Sequence, residues 1–299
     1  MAGILFFFCM RQIFLHICII GLFAACKKSD TSVEKDIFDA QPMATPVTPG
    51  KVDEASGIAD SKKNPGYLWV QQDSGNPEEL LLLSYTGELK KKIKLKGVSN
   101  RDWEDIALAK GPQAGVNYIY LADIGNNNLS AQKFFIYRFP EPRDSEDEVE
   151  AFEKITFIYP DGTHDAEALL VDNNTKDIYI ITKRDSLSGI YKIDYPQALN
   201  VTNKATLIGH LPFNNVVSAA FSPDGNEVLI KTYSSIYYWR LNNGSSIREA
   251  LYTTPVHVSY LPEPQGEAIT FKNDNKGFFT LSERPQFIRE VKLYFYLRK

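Results

Sequence analysis

A short phrase recurs along the chain about every fifty residues: a glutamate, one or two small or polar residues, and then an apolar run. The clear copies are Glu54-Ala-Ser-Gly-Ile-Ala, Glu104-Asp-Ile-Ala-Leu, Glu167-Ala-Leu-Leu-Val and Glu267-Ala-Ile-Thr-Phe. A degenerate copy, Ser218-Ala-Ala-Phe-Ser-Pro, lacks the acid. Repeats of this length that contain only strands are typical of β-propellers. The repeat therefore predicts a ring of blades whose equivalent residues meet around one axis.

The sequence predicts an all-β fold with five blades of four antiparallel strands, and six blades are the alternative. Blade five lacks a fourth strand, so residues 37–47 are expected to supply it and close the ring, because closure removes exposed strand edges. The last strand of blade four is expected at residues 250–254. An acidic insertion at residues 140–152 lengthens blade two and is expected to be a solvated loop.

The first 25 residues have the pattern of a lipoprotein signal peptide. Arg11 precedes an apolar stretch that ends Leu22-Phe-Ala-Ala-Cys26. This ending resembles the lipobox of bacterial lipoproteins, in which the cysteine carries the lipid. An uncleaved membrane anchor is the alternative. Residues 26–36 are polar and predict a flexible tether, which leaves residues 37–299 as a single propeller domain.

These features predict a protein of the bacterial cell envelope that is held at the outer membrane by its N-terminal lipid, on either the periplasmic or the surface face. All 3 cysteines, Cys9, Cys18 and Cys26, lie in or at the end of the leader, so the domain has no disulfide. A monomer stabilised by its core is expected. The net charge is −4 and there is no basic run, which argues against a nucleic-acid partner.

In a propeller, the first strand of each blade lines the axis and begins on the face where the second strand ends. We call this face around the axis the mouth. Two groups of acidic residues, one before the first strands and one after the second strands, are predicted to meet there. The first group is Glu54, Glu104, Glu167 and Glu267, and the second is Asp73, Asp123 and Glu283. Blade four, with Ser218, is expected to leave this ring open.

Carboxylates this close together require a counter-charge or raised pKa values. Three arrangements are open. A Ca²⁺ ion would suit clustered carboxylate and amide oxygens. Salt bridges to Lys183, Arg184 and Arg284 are the second arrangement. The third is structural: each glutamate accepts hydrogen bonds from backbone N–H groups of a neighbouring blade.

Five residues near the mouth are candidates for ligand binding: Trp103, His164, Lys183, Arg184 and Arg284. Trp103 is either a stacking platform or part of the core. His164 is either a surface residue or, with Asp165, an acid–base pair. The sequence has no Gly-x-Ser-x-Gly, His-Glu-x-x-His, Walker or dinucleotide-binding motif, so it assigns no catalytic residue.

Three segments resemble the SdiA-regulated family of secreted bacterial propellers: Glu54-Ala-Ser-Gly-Ile-Ala, Leu68-Trp-Val-Gln-Gln-Asp73-Ser-Gly-Asn76 and Asp102-Trp-Glu-Asp-Ile-Ala107. The resemblance is clearest over residues 50–130, and Trp103 and Asp105 stand where the family has tyrosine and glycine. It implies a calcium-associated propeller of undefined activity. A more distant similarity is to β-propeller phytases and gluconolactonases, which bind Ca²⁺ at the mouth, and no catalytic residue is carried over from them.

These observations favour a lipid-anchored binding module whose mouth binds Ca²⁺ and, through it, a small or polymeric ligand. A metal-dependent hydrolase of phosphoesters or lactones is the alternative, in which Lys183, Arg184 and Arg284 would hold an anionic group. A scaffold with no ligand is the third possibility.

Overall fold

A computed structural model describes residues 36–242, 244–284 and 290–299. The predicted leader, the predicted lipidation site Cys26 and nearly all of the predicted tether lie outside these residues. The described part forms one unit that begins at Asp36. Its strands are rich in Ile, Leu, Val, Tyr and Phe, which favour extended backbone with side chains on both faces.

The strands run in chain order through five blades, with one N-terminal strand before them. The N-terminal strand is β1 (Met43–Pro46), and blade one is β2 (Ala55–Asp60), β3 (Tyr67–Gln72), β4 (Glu79–Ser84) and β5 (Leu89–Leu95). Blade two and its insertion are β6 (Trp103–Lys110), β7 (Asn117–Asp123), β8 (Phe134–Pro140), β9 (Glu148–Val149) and β10 (Glu153–Ile158). Blade three is β11 (Ala166–Val171), β12 (Ile178–Thr182), β13 (Gly189–Ile193) and β15 (Thr206–His210), and the short β14 (Asn203–Lys204) lies between β13 and β15 in the chain. Blade four is β16 (Val216–Phe221), β17 (Glu227–Thr232), β18 (Ile236–Arg240), the helix α1 (Ile247–Leu251) and β19 (Val256–Val258), and blade five is β20 (Gly266–Phe271), β21 (Gly277–Ser282) and β22 (Lys292–Leu297).

Buried apolar side chains form a separate cluster between each pair of neighbouring blades, including blades five and one. Each blade has four antiparallel strands, and its first strand faces the axis and packs against the first strands of its neighbours. The predicted five-bladed propeller is therefore confirmed, and the six-bladed alternative is wrong.

The N-terminal strand closes the ring as predicted. β1 pairs with β22 in antiparallel register, from Met43 opposite Phe295 to Pro46 opposite Lys292. Upstream of β1, Phe38 forms a bridge with Arg298 and is 2% exposed. Its ring packs edge-on against Phe278, with the ring centroids 4.9 Å apart. The last blade is thus completed by the start of the domain.

The acidic insertion differs from the predicted solvated loop. Its strand β9 pairs in parallel with β5, so blade one gains a fifth strand. β5 carries four lysines, and Lys91 pairs with Asp147 at 2.8 Å while Lys96, just after the strand, pairs with Glu150. The insertion therefore covers an open strand edge with complementary charge, which protects it from pairing with other chains. Blade two is extended in the same way by β14.

The fourth strand of blade four begins later than predicted. Residues 250–254 end the helix α1 and enter a turn, and the strand is β19 (Val256–Val258). The helix starts with a capping box, in which Ser246 and Glu249 satisfy each other's backbone N–H groups. Among the described residues α1 is the only α-helix, and nothing there is long and apolar enough to cross a membrane as a helix.

Because Phe38 packs where the ring closes, truncating its side chain is predicted to lower the stability of the fold strongly. The change Phe38→Ala should lower the free energy of unfolding by about 3–5 kcal/mol, because it leaves a cavity where blade five is completed. Met43→Ala is the matched control: this side chain is 61% exposed in the same segment, and its loss should cost less than about 0.5 kcal/mol. Denaturant unfolding measures both values. Equal losses for the two variants would contradict a role of Phe38 in closure.

Candidate functional site

Each first strand carries a β-bulge at the same point of its pairing with the second strand. A bulge adds one unpaired residue and changes the direction of its side chain, which is common beside functional sites. The bulged residues are structurally equivalent, and they are Ser56, Glu104, Glu167, Val217 and Glu267. Only three of the five positions therefore hold an acid.

This equivalence corrects the predicted ring in two blades. In blade one, Ser56 and not Glu54 stands at the bulge; Glu54 is exposed, and its Oε2 accepts a hydrogen bond from Asn76. The Ser56 hydroxyl donates to the backbone oxygen of Glu104 at 2.7 Å. In blade four, Val217 and not Ser218 stands at the bulge. The ring of buried glutamates thus comes from blades two, three and five.

Three acidic side chains from blades one and two form what we call the carboxylate cluster. One carboxylate oxygen each of Asp73, Asp102 and Glu104 lies within 4.8 Å of the others. Gly125 makes this approach possible, because a Cβ at this position would collide with Glu104 Oε1 and with the carboxylate of Asp102. A glycine after the second strand of blade two is therefore required by the cluster.

Burial and mutual repulsion make the cluster costly to ionise. Burial, followed by the charges of Glu167 and Asp73, raises the pKa of Glu104 well above its usual range. Burial raises the pKa of Asp73 to about 6 and also raises the pKa of Asp102. Glu283, which follows the second strand of blade five, has its pKa raised to about 8 by burial and by Glu267 and Asp73.

Other acids of the mouth have arginine partners. Arg101 contacts Asp123 at 3.1 Å, Arg184 pairs with Asp165, and Arg284 binds Asp53 at 2.8 Å. Salt bridges, one of the three predicted arrangements, therefore occur at some acids of the mouth. The carboxylate cluster has no such salt bridges in the part of the chain that the structure describes. Within the described ranges, Asp73, Asp102 and Glu104 form no ion pair with a lysine, arginine or histidine.

Lys183 lies on the side of the mouth that blades three, four and five form. Its ammonium contacts Glu167 and donates a hydrogen bond to the hydroxyl of Tyr233 at 2.8 Å. The same hydroxyl donates to Glu267 Oε1 at 2.5 Å, and Glu267 Oε1 lies 4.0 Å from the ammonium. Lys183 therefore interacts with two of the three glutamates at the bulges: with Glu167 directly and with Glu267 through Tyr233.

Asp105 performs the structural role that the sequence analysis offered for the glutamates. Its fully buried carboxylate accepts hydrogen bonds from the N–H groups of Ile106, Leu169 and Ala219 and from the hydroxyl of Ser218. These donors belong to blades two, three and four. Burial raises the pKa of Asp105 to about 8, although the hydrogen bonds oppose this shift. Asp105 thus joins three first strands across the axis.

Two predicted ligand-binding residues have protein partners: Trp103 is buried and His164 is half-buried. Trp103 has no exposed surface, and its indole N–H donates to the backbone oxygen of Ser99 at 3.1 Å, so it packs in the core between blades one and two. His164 does not pair with Asp165. Its Nδ1 lies 3.0 Å from Asp185 and its Nε2 lies 2.9 Å from the hydroxyl of Tyr191.

The structure brings most of the predicted acids to one face and gives roles to residues that the sequence analysis left out of the acidic ring: Arg101, Asp102, Asp105, Gly125 and Tyr233. Aligning Gly57-Ile58-Ala59 with Asp105-Ile106-Ala107 would have placed Ser56 opposite Glu104. No signal in the sequence marks Tyr233 as a partner of Lys183, because this contact joins blades three and four.

No family model and no curated protein matches this sequence. Among solved structures, the fold is similar to hydrazine synthase of Kuenenia stuttgartiensis, with a TM-score of 0.42 and 11% identity over 82% of this chain and 83% of that chain. It is also similar to an auxiliary nutrient binding protein from Bacteroides thetaiotaomicron, with a TM-score of 0.49 and 11% identity over 87% of this chain and 73% of that chain. Similarities this distant do not bear on function.

The raised pKa values predict that stability depends on pH. These carboxyl groups have pKa values near 4 in an unfolded chain, whereas burial raises the pKa of Asp73 and Asp123 to about 6 and that of Asp105 and Glu283 to about 8. The folded state therefore binds more protons across this interval, and stability should fall as the pH rises from about 4 to about 8. Thermal unfolding in EDTA at a series of pH values measures this. A melting temperature that rises across the interval would contradict it.

The hydrogen bonds that the Asp105 carboxylate accepts predict a second effect on stability. Asp105→Asn replaces one acceptor oxygen by a donor, so buried N–H groups lose their partners, and the loss of stability should be about 3 kcal/mol at pH 8.5. Ser218→Ala removes one donor and leaves the backbone bonds, so it should cost about 1 kcal/mol. Denaturant unfolding of the two variants compares them. If Asp105→Asn costs no more than Ser218→Ala, Asp105 does not join the blades in this way.

Proposed function

We propose that this protein is a ligand-binding propeller of the bacterial envelope whose carboxylate cluster binds a divalent cation, Ca²⁺. The observation that carries the proposal is the group of three carboxylates, Asp73, Asp102 and Glu104, which converge without forming an ion pair within the described residues. By contrast, four other acids of the mouth pair with a lysine or arginine: Asp53, Asp123, Asp165 and Glu167. The cluster therefore lacks the direct ion pairs that these acids have.

Ca²⁺ fits this site by its chemistry. It takes six to eight oxygen ligands in flexible geometry and prefers carboxylates and amide or backbone oxygens. The cluster supplies three carboxylates, with the hydroxyl of Ser74 and the side chain of Glu283 nearby. Oxygens of a bound ligand would complete the coordination. The proposed ligand is therefore a small or polymeric molecule with carboxylate, phosphate or hydroxyl oxygens.

The cellular setting of the proposal comes from the sequence. We propose a lipid anchor at Cys26, attachment to the outer membrane, a monomeric domain and membership of the SdiA-regulated family or a sister group. The lipobox-like ending of the leader and the motifs over residues 50–130 support these assignments. Each is independent of the cation site.

A metal-dependent hydrolase has less support from the geometry. The three cations that would hold an anionic substrate already have partners: Lys183 contacts Glu167, Arg184 pairs with Asp165, and Arg284 binds Asp53. Both ring nitrogens of His164 also face a partner. Turnover of phosphoesters or lactones in the presence of Ca²⁺ would nevertheless favour the hydrolase over the binding module.

Calorimetric titration of the domain with Ca²⁺ tests the proposal. The wild type should bind one equivalent with a Kd on the order of 10⁻⁴ M, as extracellular calcium modules do. At a hundredfold excess over Kd, binding should stabilise the fold by about 2.7 kcal/mol. The double change Asp102→Asn, Glu104→Gln should weaken binding at least tenfold, because it removes two of the three charges.

The matched control is Glu88→Gln, which removes an exposed glutamate in the turn between β4 and β5. This change should leave Ca²⁺ binding as in the wild type. If the wild type shows neither heat nor a shift of melting temperature with Ca²⁺, the cation site is not there. If both variants bind as the wild type does, the ion sits elsewhere.

A further inference from the structure

Lys183 stands at a position where blades one and five carry acids. The residue after the second strand donates its N–H to the oxygen of the residue before the first strand: Asp73 to Glu54 in blade one, Lys183 to Asp165 in blade three and Glu283 to Gln265 in blade five. These three residues are therefore equivalent. Blade three reverses the charge that blades one and five present at this point of the mouth.

The ammonium of Lys183 is buried rather than exposed to solvent. Lys183 is 7% exposed, and the glutamates that it serves, Glu167 and Glu267, are 3% and 6% exposed. The nitrogen also lies over the ring of Tyr233, 4.9 Å from the ring centroid. Burial disfavours the charge, but the close carboxylate of Glu167 outweighs it and raises the pKa of Lys183. The lysine is thus a fixed cation among carboxylates.

This arrangement leaves one buried carboxylate oxygen without a hydrogen-bond partner from the described chain. The second carboxylate oxygen of Glu167, Oε2, is buried and has no hydrogen-bond partner among the described residues. A buried acceptor without a partner costs free energy. One ammonium fills the space between Glu167 and Glu267 without meeting every oxygen that faces it, whereas a metal ion takes oxygens from all sides.

We infer that the mouth has two cation positions and that Lys183 permanently fills the second one, between Glu167 and Glu267. Lys183 thereby determines that the mouth takes one exchangeable divalent ion, at the carboxylate cluster, and not two. It is a specificity-determining residue, because it fixes which side of the mouth can present a metal to a ligand. The one-ion count rests on the proposed function, but the second position can be tested without it.

The test is the stoichiometry of Tb³⁺ and Ca²⁺ binding to Lys183→Met, which keeps the apolar stem and removes the charge. This variant should bind one equivalent more than the wild type, and Lys183→Met, Glu167→Gln should lose that equivalent. Lys204→Met is the matched control, since it makes the same change at an exposed lysine in β14, at the outer edge of blade two. Its stoichiometry should equal that of the wild type.

If Lys183→Met is too unstable for a binding titration, its melting temperature can be measured with and without Ca²⁺ and compared with that of the wild type. A larger rise of the melting temperature in Ca²⁺ than the wild type shows supports the inference. An equal or smaller rise, or a variant that stays unfolded in Ca²⁺, overturns it. One equivalent in both wild type and variant also overturns it. No equivalent in the wild type and one in the variant would support the inference while the proposed function fails.

Discussion

Pairing of β1 with β22 closes the ring, and the other features of the protein depend on this closure. The mouth exists only where five first strands meet around one axis, and an open stack of blades would separate the residues that form it. Closure also fixes which blades are neighbours. Asp105 shows how closely the blades meet at the axis, because one carboxylate of blade two accepts hydrogen bonds from the backbone N–H groups of Leu169 and Ala219 in two other blades.

Closure creates an electrostatic problem that the blades solve differently. Asp105 is stabilised by hydrogen bonds from backbone and hydroxyl groups, and Asp123 by Arg101. Glu167 has a buried lysine. The carboxylate cluster and Glu283 keep their repulsion, since none of these four acids forms an ion pair within the described residues. The mouth is therefore not a symmetric acidic ring: one side is internally neutralised, and the other depends on protons or on a cation from solution.

The sequence repeat was sufficient to predict the five blades and the strand that completes the last one, because both follow from apolar periodicity and from one missing strand. It was not sufficient to align the blades at the mouth. A bulge adds one unpaired residue, so Ser56 and not Glu54 is equivalent to Glu104. The prediction for residues 250–254 was wrong because the capping box of Ser246 and Glu249 favours a helix there. Contacts such as Lys183 with Tyr233 depend on packing between blades, which periodicity does not report.

The position of Phe38 has a consequence for how the domain is presented. Phe38 packs against Phe271, which ends β20, and Phe278, near the start of β21, and these strand ends lie at the far end of the axis from the mouth. The chain therefore enters the propeller at the pole opposite the carboxylate cluster. The entry segment, Asp36 to Phe38, is therefore kept clear of the mouth, and soluble ligands and cations can approach the carboxylate cluster without passing it.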